Sequence, residues 1–135
     1  MDIDGKKVKV SITQVSRICQ NDDINVNDMA EVSPINTKDL LMNIQNRYNE
    51  DSIFTNVGET LIITNPYQII PGLYTEDKMQ EIIDFCKANS VEMYERGQPH
   101  CFDTTMHSIF DLINQCKNQA LVISGESGAG KTECA

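Results

Sequence analysis

Apolar positions along the chain change their spacing several times, and each change marks an element. Val8, Val10, Ile12, Val15 and Ile18 alternate weakly with polar residues, which predicts one or two short strands with Gly5 in a turn. Residues 20–28, QNDDINVND, are polar and rich in Asn and Asp, and read as a linker. Leu40, Leu41, Ile44 and Tyr48 then share one helical face, with Asn36 placed to cap that helix and Asp39 near its positive end. Ile53–Thr55 and Leu61–Thr64 flank a break at Asn56-Val57-Gly58, a β-hairpin pattern. Leu61, Ile62 and Ile63 are consecutive apolar residues, so the second strand is expected to be buried on both faces. Asn65-Pro66 ends it, because proline has no N–H to give a ladder.

Pro71-Gly72 marks a further turn, and Thr75 is placed as the N-cap of a second helix. Met79, Ile82, Ile83 and Cys86 recur on that helix at i, i+3, i+4 and i+7. Residues 88–98 read as a charged surface connection. A third helix is expected from Pro99, with Phe102, Met106, Ile109, Phe110 and Ile113 on a core-facing stripe. Lys117-Asn118 closes it. Ala120 to Ser124 then reads as a buried strand feeding a glycine-rich loop and the first turn of a helix. Strands and helices alternate around that buried strand, which is α/β organisation.

The loop fits G-x-x-x-x-G-K-[ST] from Gly125 to Thr132. Glycines let the backbone curl until successive N–H groups face an anion, and a following helix adds unpaired donors and its positive end. Lys131 would meet the β- and γ-phosphates, and the Thr132 hydroxyl would ligate Mg²⁺. Four fixed positions arise by chance in roughly one chain of this length in a few hundred. The apolar run before the loop and a second set of motifs therefore matter to the reading.

Charge narrows the partners. The chain carries a net charge of −9, and only residues 1–17 are basic on balance, with four basic and two acidic side chains. An acidic body argues against nucleic acid as a general partner and against an anionic membrane surface, which both need clustered Lys and Arg. It leaves a local nucleotide site open. No run approaches a membrane-spanning length and no apolar h-region opens the chain. The five cysteines, Cys19, Cys86, Cys101, Cys116 and Cys134, include no C-x-x-C pair, which fits a reduced cytosolic setting. A zinc site from His100, Cys101 and His107 lacks paired-ligand spacing.

The loop GESGAGKTE (Gly125–Glu133) resembles the P-loop of myosin motor domains, including Glu126, Ser127 and Glu133. Three upstream stretches support the resemblance in the family's order: DMAEVSPINTKDLLMNIQNRY (Asp28–Tyr48), IFTNVGETLIITNPYQIIPGLY (Ile53–Tyr74), and the spacing from Pro99-His100 to the loop. The resemblance covers about Asp28 to Ala135. It implies a P-loop NTPase-type motor core, incomplete over residues 21–135, preceded at 1–20 by a short β remnant of an SH3-like subdomain. The hairpin and the loop's strand would be three strands of the central sheet.

For the site, the resemblance implies that Gly125, Glu126, Ser127, Gly128, Ala129, Gly130, Lys131 and Thr132 wrap the phosphates of ATP with Mg²⁺. Lys131 is the catalytic candidate and Thr132 the metal ligand. Asn65, Pro66 and Tyr67 match the motif lying by adenine and ribose. The implied partner is the actin filament, bound through segments outside these 135 residues, with light chains on a full-length motor. The implied location is the cytoplasm, at the actin cytoskeleton, within a myosin complex. The chain departs from the family at Gln68, where a basic residue is usual, and by one extra residue between Pro71 and Tyr74. The connection from Tyr74 to Pro99 is also longer, and Ile109-Phe110 replaces a common Tyr-Arg pair.

Neither of the family's switch motifs occurs after Thr132, and the chain stops three residues later. That predicts an amino-terminal fragment, inactive alone. Two other readings are a fragment of a P-loop RNA helicase, some of which carry a similar loop, and a non-catalytic truncated interaction module. A downstream "DIxGFE"-like run would favour the motor and a DEAH-like run the helicase.

Overall fold

The computed structural model describes residues 2–3, 6–7, 23–88 and 97–135. A two-residue pair, β1 (Asp2–Ile3) and β2 (Lys6–Lys7), runs antiparallel at the start. The expected strand positions from Val8 to Ile18 lie outside the described residues, as does most of the 88–98 connection.

The centre of the fold is β3 (Phe54–Val57), paired antiparallel with β4 (Thr60–Ile63) in the register Phe54↔Ile63 to Val57↔Thr60. Gly58 opens the two-residue connection at φ 58°, a conformation a β-carbon disfavours even though open space surrounds the position. The hairpin lies where the apolar pattern puts it. Its burial is the reverse of the expectation. Ile53, Phe54, Thr55 and Asn56 are buried, whereas Leu61, Ile62 and Ile63 of β4 are only half-buried.

The reason is on the other edge of β3. Residues 27–28 run parallel to it: the Asn56 amide donates to Asn27 O at 2.8 Å, and Asp28 and Asn56 form a bridge. Asp28 Oδ1 accepts from the amides of Ala30 and Gly58, fixing the following 3-10 turn, Met29–Glu31, against the hairpin. The polar stretch read as a linker is therefore, from residue 24 to 28, an ordered strap. Its backbone and its Asn and Asp side chains both supply hydrogen bonds where apolar contacts are scarce.

Helix α1 (Thr37–Asn49) begins at Asn36, whose side chain accepts from the Asp39 amide at 2.9 Å, as expected. The face it buries is not the apolar one. Leu41 is 60% exposed, while Asp39, Asn43 and Arg47 are buried, at i, i+4 and i+8. Asn43 and Arg47 face the backbone of the strap and of β3, and buried backbone must be hydrogen-bonded. Asn43 accepts from Val26 N (2.7 Å) and donates to Val26 O (3.1 Å). Asn46 donates to Ile24 O. Arg47 donates through Nε and Nη2 to Phe54 O, and through Nη1 to Asn25 and Asn27.

Helix α2 (Glu76–Ala88) starts at Thr75, whose Oγ1 accepts from the Lys78 amide at 3.3 Å, the capping role anticipated for it. Ile82 is its only buried residue. Helix α3 (Cys101–Gln115) packs on α2 and is capped by His100 rather than by an Asn or Ser. Gly97 sits between the two helices, where a β-carbon would meet Asp103 at 3.2 Å and Phe85 at 3.3 Å. The expected core stripe of α3 is only partly covered: Phe102, Met106 and Phe110 are half-buried, but Ile113 is 68% exposed.

Ala120–Ser124 is not a buried strand in this structure. The segment joins no ladder among the described residues, and Val122 is 88% exposed. An extended run becomes a strand only when a neighbouring backbone accepts its N–H groups. The described residues form two separate two-stranded antiparallel pairs, so the hairpin and the 120–124 segment do not make three strands of one central sheet, and the described part is mixed α and β.

Candidate functional site

The loop from Gly125 to Thr132 follows the exposed 120–124 segment and ends in a single 3-10 turn, Lys131–Glu133. Gly128 and Gly130 have φ of 82° and 88°, and Gly130 is the residue that starts the turn. Only glycine takes this backbone without strain, so the sequence pattern and the loop path share one cause. A β-carbon at Gly125 would lie 3.2 Å from that of Ala129. The Ala129 amide donates to Glu126 O and closes the loop's first bend.

Lys131 folds back over the loop. Its ammonium donates to Gly125 O and Glu126 O, each at 2.7 Å. Two carbonyls thus hold the cation where an anion entering the loop would meet it. From the other side Asn65, just after β4, donates through Nδ2 to Gly128 O at 2.7 Å. Its Oδ1 accepts from the Tyr67 amide at 2.9 Å, so both ends of the amide are engaged.

A cavity of about 660 Å³ lies between these parts, lined by Asn65, Tyr67, Gln68, Ile69 and Ser127–Glu133. It therefore brings Asn65 and Tyr67 together with Ser127, Gly128, Ala129, Gly130, Lys131 and Thr132. Gly125 and Glu126 stand behind, as carbonyl anchors of Lys131. Tyr67 has φ 51° and is 83% exposed, so its ring packs little against the loop. Pro66 faces a neighbouring hollow of about 340 Å³ with Ile53, Tyr74 and Cys134, and its carbonyl accepts from Tyr48. Gln68, which stands where the family usually has a basic residue, and Ile69 are lining residues that the sequence pattern does not assign to the site. Their place depends on the turn after Pro66, which periodicity does not encode.

Tyr74 belongs to an aromatic group with Phe54, His100 and Phe102, its ring centroid 5.9 Å from His100 and 6.2 Å from Phe54. Its hydroxyl lies 3.5 Å from Cys134 Sγ, at the end of the loop. Burial, followed by the contact with Cys134, pushes the phenol well above its usual pKa. His100 is buried; its Nδ1 accepts from the Phe102 amide at 3.1 Å, which makes Nε2 the donor to Leu73 O at 2.9 Å. Burial holds that imidazole below its usual pKa of 6.5. His100 is thus engaged in capping and packing. Among the described residues, no group of His, Cys, Asp or Glu has the arrangement of a metal site.

Residues 26–135 match the family described as myosin head (motor domain). The myosin IC heavy chain of Dictyostelium discoideum is 37% identical over 110 residues, covering 82% of this chain and 9% of that protein. The myosin-M heavy chain of the same organism is 30% identical over 129 residues, 96% of this chain and 7% of its own length. Unconventional myosin-XIX of Mus musculus is 36% identical over 110 residues, 79% of this chain and 11% of its own length. The chain thus spans about a tenth or less of each of these relatives.

Proposed function

This chain belongs to the myosin head (motor domain) family, a family of actin-based ATPase motors, and from that premise we propose that it supplies the phosphate-binding segment of such a motor. The observation that carries the reading is the loop: two glycines at positive φ, a lysine turned inward, and a cavity large enough for a triphosphate and its metal. These features fit ATP with Mg²⁺. The amides of Gly125–Lys131 and the Lys131 ammonium would hold the phosphates, and the Thr132 hydroxyl would hold Mg²⁺. Asn65, Pro66 and Tyr67 would flank the nucleoside. Magnesium held there by Thr132 would neutralise charge on the phosphate oxygens.

The chain's own share is positioning. Asn65 keeps the loop's apex fixed to the exit of β4, and the carbonyls of Gly125 and Glu126 keep the ammonium at the cavity. Phosphoryl transfer depends mainly on such placement and on stabilising developing charge. Water-positioning groups, actin contacts and light-chain sites would come from other parts of a heavy chain, and the location would be the actin cytoskeleton of the cytoplasm. From the resemblance alone, we propose that residues 1–20 are the remnant of an SH3-like subdomain that precedes the motor core. No described helix is long and apolar enough to cross a membrane.

The test is a chimaera in which residues 26–135 replace the matching segment of the Dictyostelium myosin IC head. It should hydrolyse ATP, and Lys131→Ala should lower turnover by about a hundredfold or more, as loss of a key charge does. Unchanged turnover at saturating ATP after that substitution would show that the loop does not hold the phosphates.

A further inference from the structure

Two cysteines line one hollow at the far end of the loop. Cys134 closes the 3-10 turn that follows Gly130, and Cys101 is the first residue of α3. Both are half-buried, and both line one hollow of about 340 Å³ beneath Ala129, Gly130 and Lys131. The Tyr74 hydroxyl lies against Cys134 Sγ at 3.5 Å, and the Cys101 thiol is 3.7 Å from His100 Nδ1. The other described cysteines lie elsewhere on the fold, Cys86 near the end of α2 and Cys116 just past α3.

We propose that Cys101 and Cys134 form a reversible disulfide under a disulfide oxidant, tying the exit turn of the loop to the first turn of α3. The chemistry is thiol–disulfide exchange with oxidised glutathione. The Cys134 thiolate attacks one glutathione sulfur, forms a mixed disulfide and releases one glutathione thiolate. Cys101 then gives up its proton and attacks the Cys134 sulfur. The second glutathione leaves, and the Cys101–Cys134 bond remains. Two electrons pass from the protein to the glutathione disulfide, and both thiol protons end in water or on glutathione. The order follows from burial, which lifts the Cys101 thiol to about 11, with Cys134 adding to the rise. A thiol held in that state is a poor first nucleophile but attacks well from a neighbouring position. The cross-link itself is independent of the nucleotide reading.

Trypsin leaves Cys101 and Cys116 on one peptide, so the experiment uses Cys116→Ser in the full chain. The folded protein is treated with oxidised glutathione, alkylated without reductant, digested and mapped by mass spectrometry. The expected product joins the Gly97–Lys117 peptide to the peptide beginning at Thr132 and disappears with dithiothreitol. Cys134→Ser and Cys101→Ser should each abolish it. Hydrogen exchange of amides 130–134 in the oxidised chain should slow by about tenfold, as expected for a tethered segment. A product joining other cysteines, only glutathione adducts, or a cross-link that leaves the exchange rates unchanged would each overturn the clamp. None of these outcomes bears on whether Lys131 holds phosphate.

Discussion

Arg47 shows why single residues here do more than their hydropathy suggests. Its guanidinium is buried, and burial lowers its pKa, with Glu50 opposing. Two of its nitrogens share Phe54 O, and a third reaches Asn25 and Asn27. Only a planar fork can serve those acceptors at once. Replacing it with an apolar side chain leaves a strand carbonyl and two amides short of donors. We expect Arg47→Met to cost about 3 kcal/mol, with Arg47→Lys recovering little of it. Urea denaturation checks this; a loss under about 1 kcal/mol for either variant would mean that the fork is incidental. None of this was readable from periodicity, because an Arg at a helix's end ordinarily faces water. The signal present in the sequence was the density of Asn on both sides, in Asn25, Asn27, Asn43 and Asn46.

At the level of elements, helices and hairpin were legible for local reasons. Asn36 and Thr75 cap where their side chains can reach the first free amides, and Gly58 turns the hairpin. What failed was burial, which depends on partners distant in sequence: the apolar face of α1, both faces of β4, and the 120–124 run. The cap of α3 was also missed, since histidine is an uncommon choice for that position. It makes α3 pH-sensitive. Burial depresses the folded pKa of His100 below 6.5, so the unfolded chain takes up the proton first. Its contribution is complete above about pH 6.5 and is lost as pH falls from there toward the lowered folded value. Protonation also removes the Nδ1 acceptor from the Phe102 amide. The urea midpoint of the native sequence should therefore drop from about pH 7.5 to about pH 5.5 by more than that of His100→Asn, which keeps an acceptor. Equal drops in the two proteins would remove His100 as the cause.

Taken as a whole, the molecule has few buried apolar side chains among its described residues: Met29, Ile53, Phe54 and Ile82. Large apolar ones stand in solvent along 121–123 and at Ile109, Leu112 and Ile113. Such surface, with an unpaired extended backbone beside it, favours association between chains. The isolated chain should sediment as concentration-dependent oligomers, and Val122→Lys should shift it toward monomer without lowering its urea midpoint. A monomer at every concentration tested would show that this surface is not adhesive. The path of the glycine-rich loop was the most legible part at this scale, because positive φ at Gly128 and Gly130 is a demand that few residues besides glycine meet.

The strap beside β3 has a consequence for how changes in chain length are tolerated. Grease between two surfaces lets one slide over the other; a row of amides matched donor to acceptor does not. Asn43 takes both polar groups of Val26, and Asn46 takes the carbonyl two residues earlier. Moving residues 24–28 along by one would set the Asn43 amide against side chains and reverse every pairing behind it. This joint therefore counts residues, and a deletion of one position there should dislodge α1 where a conservative change of side chain would not.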